Sequence, residues 1–311
     1  MPISEMEAKL GEGLKRGEPM SLHTTMGVGG LAKFYFEART IEELTTAVAE
    51  ARENSIDYRV VGTGSNILVS DDGFYGLIIA NRTSNISMDP DNRQIICDSG
   101  VPLVRLITFA AEHSLSGLEP LYGIPGTVGG AIYGNAGAHG VEITNYLRFI
   151  TVVLGDGKIE KYNTDWLEAG YRESKLKRLN EKNAPIILVA GFQFQPRKAE
   201  DIQNEITKYR QWRLKHQPLK DRTSGSIFRN PSGSSAGEKE SSAGYLLESV
   251  GAKKMKVGGA EVTGQHANWI RNNGRATAAD IRRLIEELKT KVAEKQQVGL
   301  KEEIEYIGQW Q

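Results

Sequence analysis

The sequence has a single cysteine, no long apolar run and no excess of charge of either sign. Cys97 alone can make neither an internal disulfide nor a cysteine-rich metal site. No stretch reaches the roughly 18 apolar residues that a membrane helix needs. Lys plus Arg and Asp plus Glu both total 39, so the formal net charge is zero. This balance disfavours binders of nucleic acid or membrane surfaces, which carry a basic excess.

Metal and targeting signals are missing too. The five histidines form no H-E-x-x-H motif or other metal-ligand spacing, so we expect no metal site. The segment from Met1 to Glu18 mixes charged and apolar side chains and lacks the apolar core of a signal peptide. We therefore expect a cytoplasmic protein. A chain of 311 residues is long enough for two or three packed units.

Glycine is in excess: 34 of the 311 residues are glycine, about a tenth of the chain, whereas ~7% is usual. These glycines are clustered. The first cluster lies between two β-prone runs, Tyr58–Val61 and Ile67–Ser70, and comprises Gly62, Thr63, Gly64, Ser65 and Asn66. Glycine allows positive φ and close approach, so such a turn can aim backbone N–H groups at a pyrophosphate. A tight hairpin is the alternative. A Rossmann fingerprint is excluded, because a strand-like run follows where a helix is required.

The second cluster, Gly123–Gly140, has seven glycines in eighteen residues. Its apolar residues Ile124, Val128 and Ile132 argue against a disordered linker. A buried segment that passes a flat ligand fits this composition better. Taken together, the two clusters predict dinucleotide binding.

The remaining local patterns predict a chain of mixed helices and strands. A capping box is predicted to start a helix at Thr40, and Thr277 to Asp280 can cap a last long helix. Apolar periodicity predicts further helices at Leu103–His113 and Ala199–Lys215. Runs typical of strands are Lys33–Glu37, Gly76–Ala80, Gln94–Asp98, Arg148–Leu154 and Ile186–Phe194. Ser232–Ala243 is typical of a mobile surface loop, and we expect Gly299–Trp310 to be extended.

Several polar residues stay ambiguous on local grounds. Arg172 fits either a surface charge or a ligand contact, and Ser226 fits either a capping hydroxyl or a functional group. His266 lies among polar residues and fits either a ligand pocket or an ordinary surface. The G-x-S-x-G match at residues 233–237 is accidental, because a nucleophile elbow needs a strand before it and a helix after it.

Taken in order, these segments resemble one family, the UDP-N-acetylenolpyruvoylglucosamine reductases. The resemblance runs from about residue 20 to the C-terminus. The motifs that carry it are Val61–Val69, Gly123–Ala131, Gly134–Gly137, Tyr171–Ser174, Gly225–Pro231, Gly258–Ala260, His266–Asn268 and Leu300–Ile304. Each motif by itself is weak evidence for the family, but the occurrence of all of them in this order is specific.

Three positions depart from the pattern of this family. His23 stands where Asn is frequent, and Leu176 replaces an aromatic residue. Lys301 occupies the first of two positions that are usually acidic in the last motif, while Glu303 holds the second. The three catalytic positions of the family remain filled.

The resemblance implies an α+β fold in a bacterial cytoplasmic enzyme. It would comprise a two-subdomain FAD-binding fold of the vanillyl-alcohol-oxidase type and a C-terminal α/β substrate domain. The expected bounds are 1–82 with 300–311 for the first FAD subdomain, 83–212 for the second, and 213–299 for the substrate domain. The short spacing between Arg172 and Ser226 resembles the shorter form of the family.

The resemblance also implies the cofactors and the residues of the site. FAD would bind non-covalently and NADPH would be the co-substrate. The residues implied for FAD are Gly62, Thr63, Gly64, Ser65, Asn66, Gly123, Ile124, Pro125, Gly126, Gly130, Asn135, Ala136 and Gly137. The residues implied for the substrate, UDP-N-acetylglucosamine enolpyruvate, are Lys215, Asn230, Lys253, Gln265 and His266.

The resemblance implies a reaction of cell-wall peptidoglycan synthesis, and three residues would carry it out. Arg172 suits a developing enolate, because guanidinium stays protonated and donates in a planar fork. Glu303 makes sense beside that charge if it is protonated and donates a hydrogen bond. Ser226 would protonate the α-carbon of the substrate. Two alternatives are a flavin oxidase, which would lack this set of three, and a UDP-sugar sensor, which would lack Ser226 or the flavin loops.

Overall fold

The computed structural model describes residues 2–89, 91, 93–179, 184–231 and 241–310. Helices and strands are mixed along the whole chain. The α-helices are α1 Pro2–Leu10, α2 Ile41–Glu53, α3 Leu103–Glu112, α4 Val128–Tyr133, α5 Lys175–Arg178, α6 Ala199–His216, α7 Ala243–Ser249 and α8 Ala278–Gln296.

The strands are mostly short. In chain order they are β1 Leu14–Pro19, β2 Leu31–Ala38, β3 Tyr58–Val61, β4 Ile67–Val69, β5 Phe74–Asn81, β6 Ile86–Asp89, β7 Gln94–Asp98, β8 Leu115–Ser116, β9 Gly137–Ala138, β10 Val141–Glu142, β11 Leu147–Val153, β12 Ile159–Asn163, β13 Ile186–Gln193, β14 Gln195–Pro196, β15 Lys256–Val257, β16 Ala260–Val262, β17 Ile270–Asn272 and β18 Glu305–Ile307.

Among the described residues the strands form two larger sheets, one three-stranded sheet and three two-stranded pairs, β9-β10, β8-β14 and β4-β18. The first has the order β1-β2-β5-β3, with β3 parallel to β5. The second has the order β12-β11-β13-β7-β6 and is antiparallel. A three-stranded antiparallel sheet, β15-β16-β17, lies in the C-terminal part, and β18 pairs in parallel with β4.

Two helices begin at the caps that the sequence predicts, and both caps are capping boxes. The Thr40 side chain accepts from the N–H of Glu43, and the Glu43 carboxylate accepts from the N–H of Thr40. Thr277 and Asp280 make the same reciprocal pair at α8. Each box satisfies two N–H groups that the first helical turn leaves without partners. The predicted starts of both helices are confirmed.

The chain divides into two compact units. Unit 1 comprises residues 1–16, 34–63 and 76–212, and unit 2 comprises residues 17–33, 64–75 and 213–311. The three-part division expected from the sequence stays a prediction.

Unit 1 contains two hydrophobic cores. One packs α1 and α2 against β2, β3 and β5, and the other packs α3, α4 and α6 against the five-stranded sheet. Val153 and Leu188, from two strands of that sheet, belong to the first core. The two layers are thus continuous within unit 1.

Unit 2 is built around α8, which buries Ile281, Leu284, Ile285, Leu288 and Val292 along one face. This stripe has the 3–4 residue spacing of an amphipathic helix and faces α7 and the three-stranded sheet. Asp71, from the turn after β4, accepts from the N–H groups of Ala278 and Ala279 through its two carboxylate oxygens. A carboxylate at a helix N-terminus is favourable because the helix dipole is positive there.

Two expectations about loops need correction. The Gly123–Gly140 run was expected to be buried, but it contains α4, and Gly130 is exposed. The helix forms because Thr127 caps it by accepting from the N–H of Gly130 at 3.3 Å. In the Ser232–Ala243 segment, residues 232–240 lie outside the described residues, and with them the G-x-S-x-G match. Ala243 is not loop but the first residue of α7, capped by Ser242.

Candidate active site

The first glycine-rich turn joins β3 to β4. Gly62 and Thr63 belong to unit 1, and Gly64, Ser65 and Asn66 belong to unit 2. A Cβ at Gly62 would lie 2.7 Å from Oγ1 of Thr127, so no side chain fits there. Gly64 has φ of +69°, and a Cβ on it would lie 2.0 Å from the carbonyl oxygen of His23. Only glycine is therefore compatible with this backbone.

The second glycine-rich segment surrounds α4. Gly123 and Gly126 have positive φ and lead the chain into the helix, with Ile124 and Pro125 between them. Gly130 and Gly134 lie one turn apart. Among the described residues, a Cβ at Gly130 would meet only Thr127 within 4 Å, and a Cβ at Gly134 would meet only the carbonyl oxygen of Gly130. Little of the described structure therefore lies over the backbone at these two glycines.

Arg172 lies in a two-residue turn with an unusual backbone. The main chains of Gly170 and Glu173 pair through two hydrogen bonds of 3.0 Å, which leaves Tyr171 and Arg172 at the tip. Arg172 has φ of +56°, a left-handed conformation that is costly for a bulky side chain. Strain of this kind persists only where the surrounding structure holds the residue in place.

The Arg172 guanidinium reaches the second glycine-rich segment. Its Nη2 donates to the carbonyl oxygen of Gly137 at 2.7 Å, and its Nη1 donates to that of Asn135 at 3.4 Å. Asn135 is fully buried, and its Nδ2 donates to the carbonyl oxygen of Gly170 at 2.9 Å. The structure therefore brings together Arg172, Asn135 and Gly137, with Ala136 between the last two.

Ser226 lies in an extended segment of unit 2 that has partners on both sides. On one side Ser226 forms a β-bridge with Trp269, and on the other Phe228 forms one with Glu302. The main-chain N–H of Glu303 donates to the carbonyl oxygen of Ile227 at 2.7 Å. Ser226 and Glu303 thus come from paired segments of unit 2.

Glu303 is also tied to the first glycine-rich turn. Nδ2 of Asn66 donates to the carbonyl oxygen of Glu303 at 3.0 Å, and the N–H of Glu305 donates to the carbonyl oxygen of Asn66 at 2.9 Å. These bonds continue into the parallel pair of β4 and β18. Both Ser226 and Glu303 are half-buried, which leaves part of each side chain accessible to a ligand.

The residues predicted for the substrate are distributed over unit 2. Nε2 of Gln265 donates to the carbonyl oxygen of Lys215 at 2.9 Å, so these two residues are neighbours. Oδ1 of Asn230 accepts from the N–H of Ala243 at 3.1 Å. The ammonium of Lys253 forms an ion pair of 2.6 Å with Glu248.

His266 is neutral and has a defined tautomer. Burial lowers the pKa of His266, and the nearby positive charge of Lys253 lowers it further. The main-chain N–H of Asn268 donates to Nδ1 of His266 at 3.2 Å. Because a main-chain N–H can only donate, the imidazole hydrogen is on Nε2, which suits an acceptor such as a phosphate or carbonyl oxygen.

Asn268 escapes sequence reasoning although it stands in one of the family-like motifs. Its carboxamide bonds the main chain of Phe228 and its main-chain oxygen bonds that of Ile227, next to Ser226. Asparagine in a loop usually signals a turn, so only the motif itself pointed to this position.

Among the described residues, no group of three or more His, Cys, Asp or Glu side chains is arranged to hold a metal. None of the described helices is long and apolar enough to cross a membrane.

Residues 32–163 match a family model described as an FAD binding domain. Together with the two glycine-rich turns, this match makes FAD the cofactor and places the chain among the FAD-dependent oxidoreductases. Residues 217–307 match a second model, described as the C-terminal domain of UDP-N-acetylenolpyruvoylglucosamine reductase. An α+β FAD-binding fold with a C-terminal domain of this family is therefore confirmed.

Similar proteins span nearly the whole chain. The UDP-N-acetylenolpyruvoylglucosamine reductase of Carboxydothermus hydrogenoformans is 38% identical over 98% of this chain and 97% of its own length. That of Clostridium botulinum strain Okra is 36% identical over 94% and 92%. The crystal structure of UDP-N-acetylenolpyruvylglucosamine reductase from Thermus caldophilus superposes with a TM-score of 0.78, at 32% identity, over 95% of this chain and 99% of that one. The chain belongs to the UDP-N-acetylenolpyruvoylglucosamine reductase family.

Proposed function

We propose that this enzyme uses NADPH to reduce UDP-N-acetylglucosamine enolpyruvate to UDP-N-acetylmuramate, a step of peptidoglycan biosynthesis, in the bacterial cytoplasm. The observation that carries the proposal is the pairing of the Glu303 segment with the Ser226 segment, through the 2.7 Å bond from Glu303 N to Ile227 O. This pairing supports the proposal, because a carboxyl group and a hydroxyl group then belong to adjacent extended chains.

FAD, which the glycine-rich segments at residues 62–66 and 123–137 would hold, would supply hydride transfer from NADPH to the β-carbon of the enolpyruvyl group. The electron pair of the double bond then moves toward the substrate carboxylate, which becomes an enolate dianion. Arg172 stabilises this charge, because its guanidinium donates in a planar fork and stays protonated. Glu303, in its protonated form, donates a hydrogen bond to the same enolate.

Ser226 completes the reaction by giving its hydroxyl proton to the α-carbon. A serine hydroxyl is a weak acid, but an enolate carbon is a strong base, so the transfer is feasible when the geometry is held. The serine regains its proton from water. The uridine diphosphate part would be held by Lys215, Asn230, Lys253, Gln265 and the Nε2–H of His266.

The two half-reactions test this proposal separately. The purified protein is expected to be yellow and to release FAD into the supernatant on acid precipitation. Under anaerobic conditions, NADPH should bleach the flavin absorbance, and UDP-N-acetylglucosamine enolpyruvate should then restore it and form UDP-N-acetylmuramate, identified by mass. Reduced flavin that reacts with oxygen but not with the sugar nucleotide would point to an oxidase instead.

A further inference from the structure

Asn268 is a buried residue that hydrogen-bonds the two residues after Ser226, the proposed proton donor. It also bonds His266, a proposed substrate ligand. Only 5% of its surface is exposed. Oδ1 accepts from the N–H of Phe228 at 2.9 Å, and Nδ2 donates to the carbonyl oxygen of the same residue at 2.8 Å. The main-chain oxygen of Asn268 accepts from the N–H of Ile227 at 2.9 Å.

These bonds make the Asn268 side chain act as a β-strand partner. The backbone of residues 226–229 pairs on one side with the chain that contains Glu303, through Glu303 N to Ile227 O and Arg229 N to Lys301 O. On the other side the backbone pairing ends after Ser226 and Ile227, and the carboxamide of Asn268 takes both polar groups of Phe228. Ser226 is thus on a segment that is held from both sides.

Only a carboxamide of this length satisfies Phe228. Phe228 is 1% exposed, so water cannot replace a lost partner for its N–H and carbonyl oxygen. Aspartate has the same shape but offers two acceptors, so one of its oxygens would face the carbonyl oxygen of Phe228. An apolar side chain would leave both groups unpaired.

We propose that Asn268 is a positioning residue for Ser226: it fixes the register and direction of residues 226–228, so that the Ser226 hydroxyl points at the substrate α-carbon. The inference rests on the proposed function, because positioning is meaningful only if Ser226 delivers the proton. Asn268 itself touches neither the substrate nor FAD in this assignment.

The test compares two substitutions with a matched control. Asn268→Asp keeps the shape and removes only the donation to Phe228, and Asn268→Ala removes both bonds. Asn272 is the control residue, since it is 6% exposed and lies in the same unit. Among the described residues its side chain bonds main-chain groups only, those of Met26, Gly27, Gly274 and Ala276. Asn272→Asp perturbs a buried asparagine to a similar degree without touching residues 226–228.

Stopped-flow absorbance of the flavin gives the rates of the two half-reactions for each holoenzyme. For Asn268→Asp we expect NADPH to reduce the flavin at the wild-type rate, and reoxidation by the enolpyruvyl sugar nucleotide to slow by about 10- to 100-fold, as displacement of a reacting group by about 1 Å can cause. Asn272→Asp should keep both rates. If Asn268→Ala fails to fold, Asn268→Asp alone decides the matter.

A double-mutant cycle separates positioning from general loosening. If Asn268 acts through Ser226, then Asn268→Asp should cause no further slowing of reoxidation in a Ser226→Ala background. Fully additive effects, equal losses in both half-reactions, or a loss matched by Asn272→Asp would each overturn the inference. A wild-type enzyme that the sugar nucleotide cannot reoxidise would instead refute the proposed function itself, so the two failures are distinguishable.

Discussion

The main-chain N–H of Glu303 donates a 2.7 Å hydrogen bond to the carbonyl oxygen of Ile227, the residue after Ser226. Glu303 in turn accepts from the side chain of Asn66 in the first glycine-rich turn. The backbones that carry the proposed acid, the proposed hydrogen-bond donor and one FAD turn are therefore connected by direct hydrogen bonds. Because the bond between residues 303 and 227 joins main-chain atoms, substitutions of the Ser226 or Glu303 side chain should leave the two segments paired.

Ser226→Ala is expected to separate the two half-reactions. Reduction of FAD by NADPH needs no proton from Ser226 and should keep its rate. Reoxidation by the enolpyruvyl nucleotide should slow by roughly 10²–10⁴-fold, the usual loss for a general acid. Stopped-flow flavin absorbance measures both rates.

Ser224→Ala is the matched control for this variant. Ser224 lies in the same segment and is buried, and among the described residues its Oγ has no hydrogen-bond partner. Its removal should leave both rates unchanged. Reoxidation of Ser226→Ala at the wild-type rate would show that another acid protonates the α-carbon.

Glu303→Gln is expected to retain more activity than Glu303→Ala. An amide can still donate a hydrogen bond to the enolate, whereas alanine cannot. Steady-state kcat for the two variants checks this order. Glu302→Gln is the control, because the Glu302 carboxylate pairs with Lys289 at 2.7 Å and has no assigned role in the reaction. Equal losses in the two Glu303 variants would argue against a protonated donor.

Arg172→Lys is expected to lower kcat by about 10²–10³-fold, although the positive charge is kept. A loss of this size is usual when one hydrogen-bond donor to a transition-state oxyanion is removed. Lysine cannot donate in a planar fork, and it would not reproduce the two bonds to Asn135 and Gly137. Steady-state kinetics measure the loss. Arg178→Lys, at an exposed arginine that pairs with Glu168, should be neutral. Near-normal turnover in Arg172→Lys would exclude the proposed role of Arg172.

His266 is expected to make stability depend on pH. Its pKa is lowered in the folded state, chiefly by burial, while in the unfolded chain it lies near its ordinary value of about 6.5. The unfolded state therefore binds the proton more tightly, so this contribution to stability is complete above about pH 6.5 and is lost as the pH falls toward the lowered pKa.

Urea unfolding at several pH values measures this dependence. In His266→Gln the part of the pH dependence just below about pH 6.5 should disappear. His113→Gln, at an exposed histidine after α3, should keep it. An unchanged pH profile in His266→Gln would contradict neutral burial of this histidine.

Local patterns were enough to predict much of the fold. The capping boxes at Thr40 and Thr277 are formed within four residues, so their helices are visible in the sequence. The strand-like runs at Tyr58–Val61 and Gln94–Asp98 are also confirmed. The short helix α4 was missed, because its glycines have poor helix propensity and the cap at Thr127 decides the outcome.

The sequence by itself determined the family and indicated the candidate FAD turns and candidate catalytic residues, since each of these lies in a compact motif. Only the tertiary structure decided which residues hold them in place. Asn268 is 40 positions from Phe228, and Asn66 is 237 positions from Glu303. No local periodicity encodes such pairs. They form because main-chain groups at or near the candidate catalytic residues, removed wholly or partly from water, need partners, and the folded chain brings a carboxamide to each.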